Sequence, residues 1–270
     1  CALPICLIMG DDTLLVKIEN GIATVTINRP GQRNALTRVM WARLPELFEG
    51  FRDSGEVRVI ILRGSGDKAF ASGQDIREFR EMETPEEWAH HSDIVENAWR
   101  RIYKVELPVI AQVHGFAMGG AFGLLAMCDL RYSAEDGVFA IPAARLGVVY
   151  PEILTRRIIR LIGPANTKEI LLTARRYTAR EAYDMGFINR VLPKGEIDAY
   201  VQELAEKIVV NAPISVKNSK EMINLIESGS LEDDDMARAH ALRQAGFNSQ
   251  DFQEGVHAFI EKRSPEFKGA

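Results

Sequence analysis

The sequence HGFAMGGAFG occupies residues 114–123, and AFASGQDI occupies residues 69–76. Each follows an apolar, strand-like run and leads toward a helix. A glycine turn at such a place lets the backbone approach a ligand closely, and the free N–H groups at a helix N-terminus favour negative charge. Two such turns facing each other predict an oxyanion hole, which stabilises a carbonyl oxygen as it becomes an enolate.

Other glycine-rich motifs do not match these segments. The spacing Gly115-x-x-x-Gly119-Gly120-x-x-Gly123 is not the G-x-G-x-x-G of dinucleotide-binding folds, and no acidic residue ends a strand at the expected distance. The sequence also lacks the phosphate-loop motif and the G-x-S-x-G nucleophile elbow. For Gly119 and Gly120 alone, tight packing of a helix on a sheet is an equal alternative.

The composition is that of an ordinary globular protein: 270 residues, 46% hydrophobic and 26% charged. One large α/β domain, with or without a helical appendage, fits this length. The formal charge of −5, from 33 basic and 38 acidic residues, gives no reason to expect nucleic acid as a partner. Cys1, Cys6 and Cys128 have neither metal-ligand nor disulfide spacing, so we expect no metal and a reducing compartment, the cytoplasm.

Residues 1–12 precede the patterned sequence, which begins near Leu14. They start with an apolar stretch that lacks a basic n-region and is too short to span a bilayer. We expect a disordered leader or an expression-derived addition, with a clipped signal peptide as the alternative. No later stretch has the apolar length of a transmembrane helix, so no membrane partner is expected.

Hydrophobic patterning predicts a largely parallel sheet with helices packed on it, because strands alternate with crossover segments. Asn20-Gly21 marks a hairpin, and Thr37 and Thr84 suit helix N-caps. The predicted strands are at residues 14–18, 22–27, 57–62, 108–113 and 187–192. Helices are predicted at residues 37–51, from 84 onward, and at 119–127, 155–162, 164–173, 179–185, 197–210, 213–227, 231–245 and 250–262.

The last helices carry apolar faces that need a partner, so we expect a homo-oligomer. We place the core at residues 13–200 and a C-terminal helical region at residues 201–270. No low-complexity linker separates the two.

Further motifs follow in order along most of the chain. They are Asn28-Arg29-Pro30 with Asn34-Ala35-Leu36, residues 69–76, residues 115–129, Phe139-Ala140-Ile141-Pro142 with Leu146-Gly147, Gly163-Pro164-Ala165, Thr173-Ala174-Arg175, residues 179–182, residues 186–191 and Glu254-Gly255-Val256. This ordered set resembles the crotonase superfamily, also called the enoyl-CoA hydratase/isomerase family.

The resemblance implies an α/β fold, a crotonase-like spiral of ββα units with a helical C-terminal trimerisation region. It implies an acyl-CoA substrate from fatty acid metabolism, no cofactor beyond the CoA thioester, and a homotrimer or dimer of trimers. Carried onto this sequence, it assigns the oxyanion-hole N–H groups to Ser72 and Gly120.

The resemblance also implies CoA and substrate contacts. Arg33 matches a phosphate-end contact, and Phe259 with Lys262 could reach the CoA of a neighbouring subunit. A solvated surface cation is the alternative for Arg33 and Lys262. The remaining matched contacts are Ala35, Ala71, Gly73, Asp75, Ile76, Phe116, Gly119, Gly123 and Pro142.

One feature departs from the hydratases of this family, which use two glutamates. Here their places are taken by Gly123 and Ala143, and neither can move a proton. Adding water across a double bond needs a base and an acid. The usual hydration mechanism therefore cannot be carried over.

Tyr150 and Glu152 are the candidate replacements. The stretch Leu146-Gly147-Val148-Val149-Tyr150 is similar to methylmalonyl-CoA decarboxylase, in which a tyrosine meets the substrate. For Glu152 the alternative is stabilisation of a helix start. Structural roles are favoured for Arg145 as a surface ion-pair partner, His114 as a satisfied histidine and Asp129 as a partner of backbone or arginine.

The sequence thus predicts an acyl-CoA-transforming enzyme, a lyase or isomerase, that stabilises a thioester enolate without the hydratase glutamates. A decarboxylase of the same family and a non-catalytic acyl-CoA-binding protein are the alternatives. RNA binding, known for one branch of the family, is disfavoured because the helix at residues 37–51 has mixed charge, with Arg38, Arg43, Glu46 and Glu49.

Overall fold

The computed structural model describes residues 12–229 and 233–270. The predicted leader up to residue 11, with Cys1 and Cys6, lies outside these ranges, as does the predicted helix start at residue 231. Over the described residues the strands are β1 Leu14–Glu19, β2 Ile22–Ile27, β3 Val59–Gly64, β4 Ala69–Ala71, β5 Val109–Val113, β6 Phe116–Met118, β7 Leu130–Ala134, β8 Val138–Ala140, β9 Tyr177–Thr178 and β10 Arg190–Leu192.

The helices are α1 Arg38–Ser54, α2 Ile76–Phe79, α3 Pro85–Lys104, α4 Gly120–Met127, α5 Ala143–Leu146, α6 Glu152–Thr173, α7 Ala179–Asp184, α8 Ile197–Val209, α9 Pro213–Ser228, α10 Asp233–Phe247 and α11 Gln250–Glu261. A short 3-10 turn, Pro30–Gln32, precedes α1. The predicted helical C-terminal region is confirmed by α9, α10 and α11.

The larger sheet has the strand order β1-β2-β3-β5-β7-β10. β1 and β2 form the predicted antiparallel hairpin, whose turn has positive φ angles at Asn20 (49°) and Gly21 (78°). Each of the other neighbouring pairs is parallel. The predicted parallel α/β sheet is therefore confirmed, although β3 and β10 start later than expected.

The smaller sheet, in the order β4-β6-β8-β9, has strands of two or three residues. The sequence did not predict them, because runs this short show no usable periodicity. β4, β6 and β8 run parallel, so the turns after β4 and β6 emerge at the same edge. These turns are the two glycine segments.

Side-chain caps set the starts of two helices that shape the site. The Thr37 hydroxyl accepts from the Met40 N–H at 3.3 Å, and Thr84 and Glu87 form a reciprocal capping box at the start of α3. α4 is buried along its whole length, as its apolar sequence predicts. α6 breaks at Gly163, where φ is 74° and ψ is 166°, at the boundary predicted between two helices.

Apolar clusters cover both faces of the larger sheet. On one side, side chains of α1, α3 and α4 pack together with Trp41 and Trp99 among them. On the other, Ile197 and Val201 of α8 pack against strand residues such as Ile61. Burying one side chain of this size stabilises the fold by about 1.5–3 kcal/mol. The expected core boundary at residue 200 falls inside α8.

Within residues 12–229 and 233–270, no helix combines the length and the apolarity needed to cross a bilayer. The same residues contain no group of three or more His, Cys, Asp or Glu side chains arranged to hold a metal ion.

Candidate active site

The two glycine turns lie side by side. Gly73 has a φ of 102°, and a methyl group on it would lie 2.8 Å from the Met118 carbonyl oxygen and 3.6 Å from the Gly120 nitrogen. Glycine is the residue that suits both this angle and this contact. On the other side, Leu36 donates its N–H to the Gly73 carbonyl at 2.8 Å and accepts from the Asp75 N–H at 2.9 Å. The first turn thus packs against the second and is hydrogen-bonded to the segment before α1.

The Ser72 N–H already donates a hydrogen bond within the protein. It donates to the carbonyl oxygen of Arg33 at 2.9 Å, which corrects the expectation that Ser72 supplies an oxyanion-hole N–H. By contrast, the amides of Gln74 and Gly120 donate to no backbone oxygen of the described residues. Gln74 Cγ lies 3.5 Å from where a methyl group on Gly120 would be. The side chain of Gln74 therefore lies next to Gly120.

Gly120 is the first residue of α4, so its N–H has no partner in the helix and adds to the positive end of the helix dipole. The Gly119 amide is used: it donates to the Ala140 carbonyl at 2.8 Å. At this edge the Gly73, Gln74 and Gly120 amides thus have no backbone acceptor among the described residues.

The Asp75 carboxylate is bound by groups of the same chain. It accepts from the Arg77 N–H at 3.1 Å as the N-cap of α2, and pairs with the Arg77 and Arg29 guanidinium groups at 2.7 and 2.9 Å. The Arg77 and Arg29 hydrogen bonds outweigh burial and hold the pKa of Asp75 well below its usual range. The structure therefore gives the Asp75 carboxylate a structural role.

A cavity of about 360 Å³ opens beside Gln74. One wall is a face of α3, and the other is the segment from Ala143 to Pro151. The α3 side chains that line it are Trp88, Ala89, His91, Ser92, Val95, Glu96 and Trp99. Among the described residues that line this cavity there is no lysine or arginine.

The two positions at which the resemblance would place glutamates, 123 and 143, carry no carboxylate. Ala143 is buried and lines the cavity. Gly123 faces the Trp99 indole, and a methyl group on it would lie 2.5 Å from Cζ2 and 2.7 Å from Cε2. The indole therefore occupies the space into which a side chain at position 123 would grow.

Tyr150 lies in the cavity wall, as expected. Its hydroxyl lies 3.4 Å from where a methyl group on Gly119 would be, and its ring stacks on Trp99 with centroids 6.3 Å apart. Burial raises the pKa of Tyr150 to about 12. The phenol is therefore a neutral hydrogen-bond donor at physiological pH, next to the Gly120 turn.

Glu152 does not accompany Tyr150. It is exposed in the first turn of α6 and lines a different cavity, with Arg100, Lys104 and Arg156 in its wall. Glu152 is not among the residues that line the Tyr150 cavity, so the structure gives no support to its predicted proton-transfer role. A carboxylate in the first turn stabilises the helix start, which was the alternative.

His91 and Glu96 were missed by the sequence analysis. His91 is 3% exposed, neither ring nitrogen has a partner among the described residues, and burial lowers its pKa. Glu96 is half-buried and accepts from the Ser92 hydroxyl at 3.1 Å. Helical spacing predicts that both share an α3 face with Trp99. The sequence does not indicate that this face lines a cavity.

The expected CoA contacts divide into two groups. Arg33 is exposed and lies over the Phe116 ring at 5.2 Å, and Arg176 lies over the same ring at 6.0 Å. Ala35 and Ala71 are buried, Ile76 is exposed, and Pro142 is the N-cap of α5. All of these lie on elements that flank the glycine turns.

Phe259 and Lys262 form the second group. Phe259 lies on α11, is 87% exposed, and lines a separate cavity of about 570 Å³ among the C-terminal helices; Lys262 caps the end of α11. Their contact with a neighbouring subunit stays a prediction.

The three residues with expected structural roles are found outside the cavity. His114 Nε2 lies 3.0 Å from Asp198 Oδ1. Asp129 accepts from the Val109 N–H at 2.7 Å and from Lys220 at 2.6 Å, a lysine where arginine was one expectation. Arg145 is exposed.

Known proteins resemble this chain over nearly its whole length. The family model "Enoyl-CoA hydratase/isomerase" matches residues 17–270. A short-chain-enoyl-CoA hydratase of Clostridium acetobutylicum is 36% identical over 258 residues, which cover 94% of this chain and 97% of that protein. A carnitinyl-CoA dehydratase of Salmonella typhi is 34% identical over 258 residues, covering 93% and 97%.

Solved structures agree with the fold. An enoyl-CoA hydratase/carnithine racemase from Magnetospirillum magneticum superposes with a TM-score of 0.90 at 33% identity, covering 97% of each chain. An enoyl-CoA hydratase from Bacillus anthracis gives a TM-score of 0.90 at 30% identity, covering 96% of this chain and 100% of that one.

Proposed function

This chain belongs to the enoyl-CoA hydratase/isomerase family, and from that premise we propose that it forms a thioester enolate by releasing carbon dioxide from a malonyl-type acyl-CoA. One observation carries the proposal: beside the free amides of Gln74 and Gly120 stands the neutral phenol of Tyr150, while positions 123 and 143 carry no carboxylate.

The Gln74 and Gly120 amides form the oxyanion hole in this proposal. The thioester oxygen accepts both N–H groups, and its charge grows as the enolate forms. Because the donors are fixed by the backbone, they need no rearrangement during the reaction, and each contributes about 3 kcal/mol to the transition state.

The proposed reaction breaks the bond between Cα and the carboxylate carbon. The electron pair moves into the bond between Cα and the thioester carbon, the thioester oxygen takes up the negative charge, and carbon dioxide leaves. The Tyr150 hydroxyl then donates a proton to Cα and recovers one from water. Since no C–H proton is abstracted, no carboxylate base is needed, which agrees with Gly123 and Ala143.

The cavity walls support the same step. Trp99, Val95 and Val148 form an apolar part of the wall, while Glu96, His91 and Ser92 form a polar part. No lysine or arginine stands among the described lining residues to pair with a substrate carboxylate. In a poorly solvated site, a transition state with dispersed charge is stabilised relative to a ground state with localised charge. Decarboxylation turns a localised carboxylate into neutral carbon dioxide and an enolate held by two amides.

The test is a thioester panel with purified protein. Malonyl-CoA and its α-methyl and α-ethyl derivatives are assayed for carbon dioxide release, and crotonyl-CoA is assayed for hydration. We expect release from at least one malonyl-type ester and a fall in kcat of about 10²-fold in Tyr150→Phe. Tyr183→Phe, at an exposed tyrosine, is the control. Rapid crotonyl-CoA hydration that survives Tyr150→Phe, with no carbon dioxide released, rejects the proposal.

A second candidate rests on Glu96. Its half-buried carboxylate lines the same cavity and could act as a base for hydration or for double-bond isomerisation. Glu96→Gln separates the two candidates. A loss of hydration or isomerisation in that variant favours the second, while unchanged carbon dioxide release favours the first.

The assembly and the CoA site are proposed on the family pattern. Arg33 contacts the phosphate end of CoA, and α9, α10 and α11 join copies of the chain into a homotrimer. Exposed apolar side chains such as Phe259 and Ile260 support such a contact. Native mass spectrometry of the wild type and Phe259→Asp tests it: the variant should lose the trimer.

A further inference from the structure

We propose that Trp99 determines which reaction the pocket can catalyse. Its indole fills the space that a side chain at position 123 would need, and it orients the Tyr150 phenol. The inference rests on the proposed function and names the residue that sets its specificity. Trp99 acts through its neighbours, so it is a positioning residue.

The first support is steric. Carbon atoms in contact normally lie about 3.5–4.0 Å apart. A methyl group on Gly123 would lie 2.5 Å from Trp99 Cζ2, 2.7 Å from Cε2 and 3.1 Å from Leu154 Cδ2. Even alanine therefore requires the indole to move, and a glutamate requires more.

The second support is that the indole is buried and packed against other aromatic rings. Trp99 is 2% exposed. Its ring meets Trp41 edge to face at a centroid distance of 6.2 Å and an angle of 86°. On the other side it lies against Tyr150 at 6.3 Å and 21°. Packed near two aromatic rings, the indole forms part of the pocket wall.

The third support is the position of this wall. Trp99 lines the acyl cavity, and its stacking partner Tyr150 has its hydroxyl beside the Gly119 turn. By the family resemblance, position 123 is where a hydratase carries a glutamate. One side chain thus removes the site of a water-activating base and supports the proton donor of the alternative chemistry.

A stability cycle tests the steric part without any substrate. Gly123→Ala should lower Tm by roughly 5 °C in the wild type. In a Trp99→Leu background the same change should have little effect, because the clashing ring is gone. Equal losses of Tm in both backgrounds overturn the inference, and this result does not depend on which reaction the protein catalyses.

A kinetic comparison tests the positioning part. With the malonyl-type ester that is turned over, Trp99→Leu should lower kcat on the order of 10²-fold while KM changes little. Trp99→Phe keeps an aromatic ring against Tyr150 and should recover much of kcat. The control is Phe122→Leu, a buried ring that stacks on Phe187. Its kcat should stay near the wild-type value. Equal effects of Trp99→Leu and Phe122→Leu on kcat contradict the proposal.

The double variant Trp99→Ala with Gly123→Glu tests the choice of reaction. It should hydrate crotonyl-CoA measurably above both single variants, since space and a carboxylate base are now present together and Tyr150 remains as the proton donor. A folded double variant with no more hydration than the single variants contradicts the inference. If no malonyl-type ester is turned over by the wild type, the proposed function fails, while the stability cycle and this gain of hydration still judge the role of Trp99.

Discussion

The Arg29 guanidinium lies 2.9 Å from the Asp75 carboxylate, and both side chains are nearly buried. This ion pair ties the turn that carries the Gln74 amide to the loop before α1. The more exposed Arg77 guanidinium also pairs with the Asp75 carboxylate, at 2.7 Å.

Asp75→Asn should therefore weaken the fold. Removing one partner of a buried pair leaves the other charge uncompensated and costs about 3 kcal/mol. The folded-state pKa of Asp75 is depressed, so its contribution is present above the unfolded pKa of about 3.9 and is lost as pH falls below that value. Urea unfolding at pH 7 and pH 3 should show a large difference from wild type that shrinks in acid. Asp53→Asn, at an exposed pair with Arg52, is the control. A pH-independent difference would argue against this account.

Gly120 offers a direct test of a backbone donor. It is the first residue of α4, a position where proline is tolerated, so Gly120→Pro removes the N–H while leaving the helix able to start. We expect kcat to fall about 10²–10³-fold. Gly120→Ala keeps the N–H and adds a methyl group 3.2 Å from Trp41, so it is the matched control for the added bulk. Similar rates in the two variants would mean that the N–H is not used.

The Tyr150 phenol should appear in the pH dependence of stability. Burial raises its pKa to about 12 in the folded state, above about 10 in the unfolded chain. The unfolded state then loses its proton first, so stability falls between pH 10 and pH 12 by about 2 kcal/mol. Tyr150→Phe should remove that part of the fall. Tyr103, whose pKa burial also raises to about 12, accounts for a second part that Tyr150→Phe leaves in place. Parallel curves for wild type and Tyr150→Phe would contradict the assignment.

Arg33 should contribute to binding of the CoA moiety and not to chemistry. Arg33→Met is expected to raise KM for a turned-over thioester about tenfold with little change in kcat, the pattern of an interaction made equally in ground and transition states. The control is Arg52→Met, at an exposed arginine near the end of α1. A fall in kcat at constant KM would place Arg33 in the chemical step.

The sequence predicted the turns but not which amides they offer. Both glycine segments follow parallel strands, so their meeting at one edge could be expected from the pattern. Along an extended turn, neighbouring N–H groups point in different directions. The Arg33 carbonyl accepts from the Ser72 amide and the Leu36 carbonyl accepts from the Asp75 amide, which leaves the Gly73 and Gln74 amides between them without a backbone acceptor among the described residues. Those acceptors come from a distant part of the chain, so local spacing could not identify the free donor.

The cavity wall was less predictable still. Trp99 is an aromatic residue on an amphipathic helix, and in the sequence it is indistinguishable from any other core side chain. Its contact with Gly123 depends on how α3 packs against α4. Glu152 shows the converse case: it follows Tyr150 closely in sequence, yet the start of α6 turns it toward a different surface.

The close contact between Trp99 and Gly123 also bears on how such a pocket can change over generations. A side chain at position 123 is opposed while the indole is present, and a smaller residue at position 99 leaves a hole beneath Tyr150 until something fills it. We therefore expect each single step to be harmful and the pair to be tolerated, which would be sign epistasis. If Trp99 has the proposed role, a glutamate at position 123 becomes accessible only when position 99 changes as well.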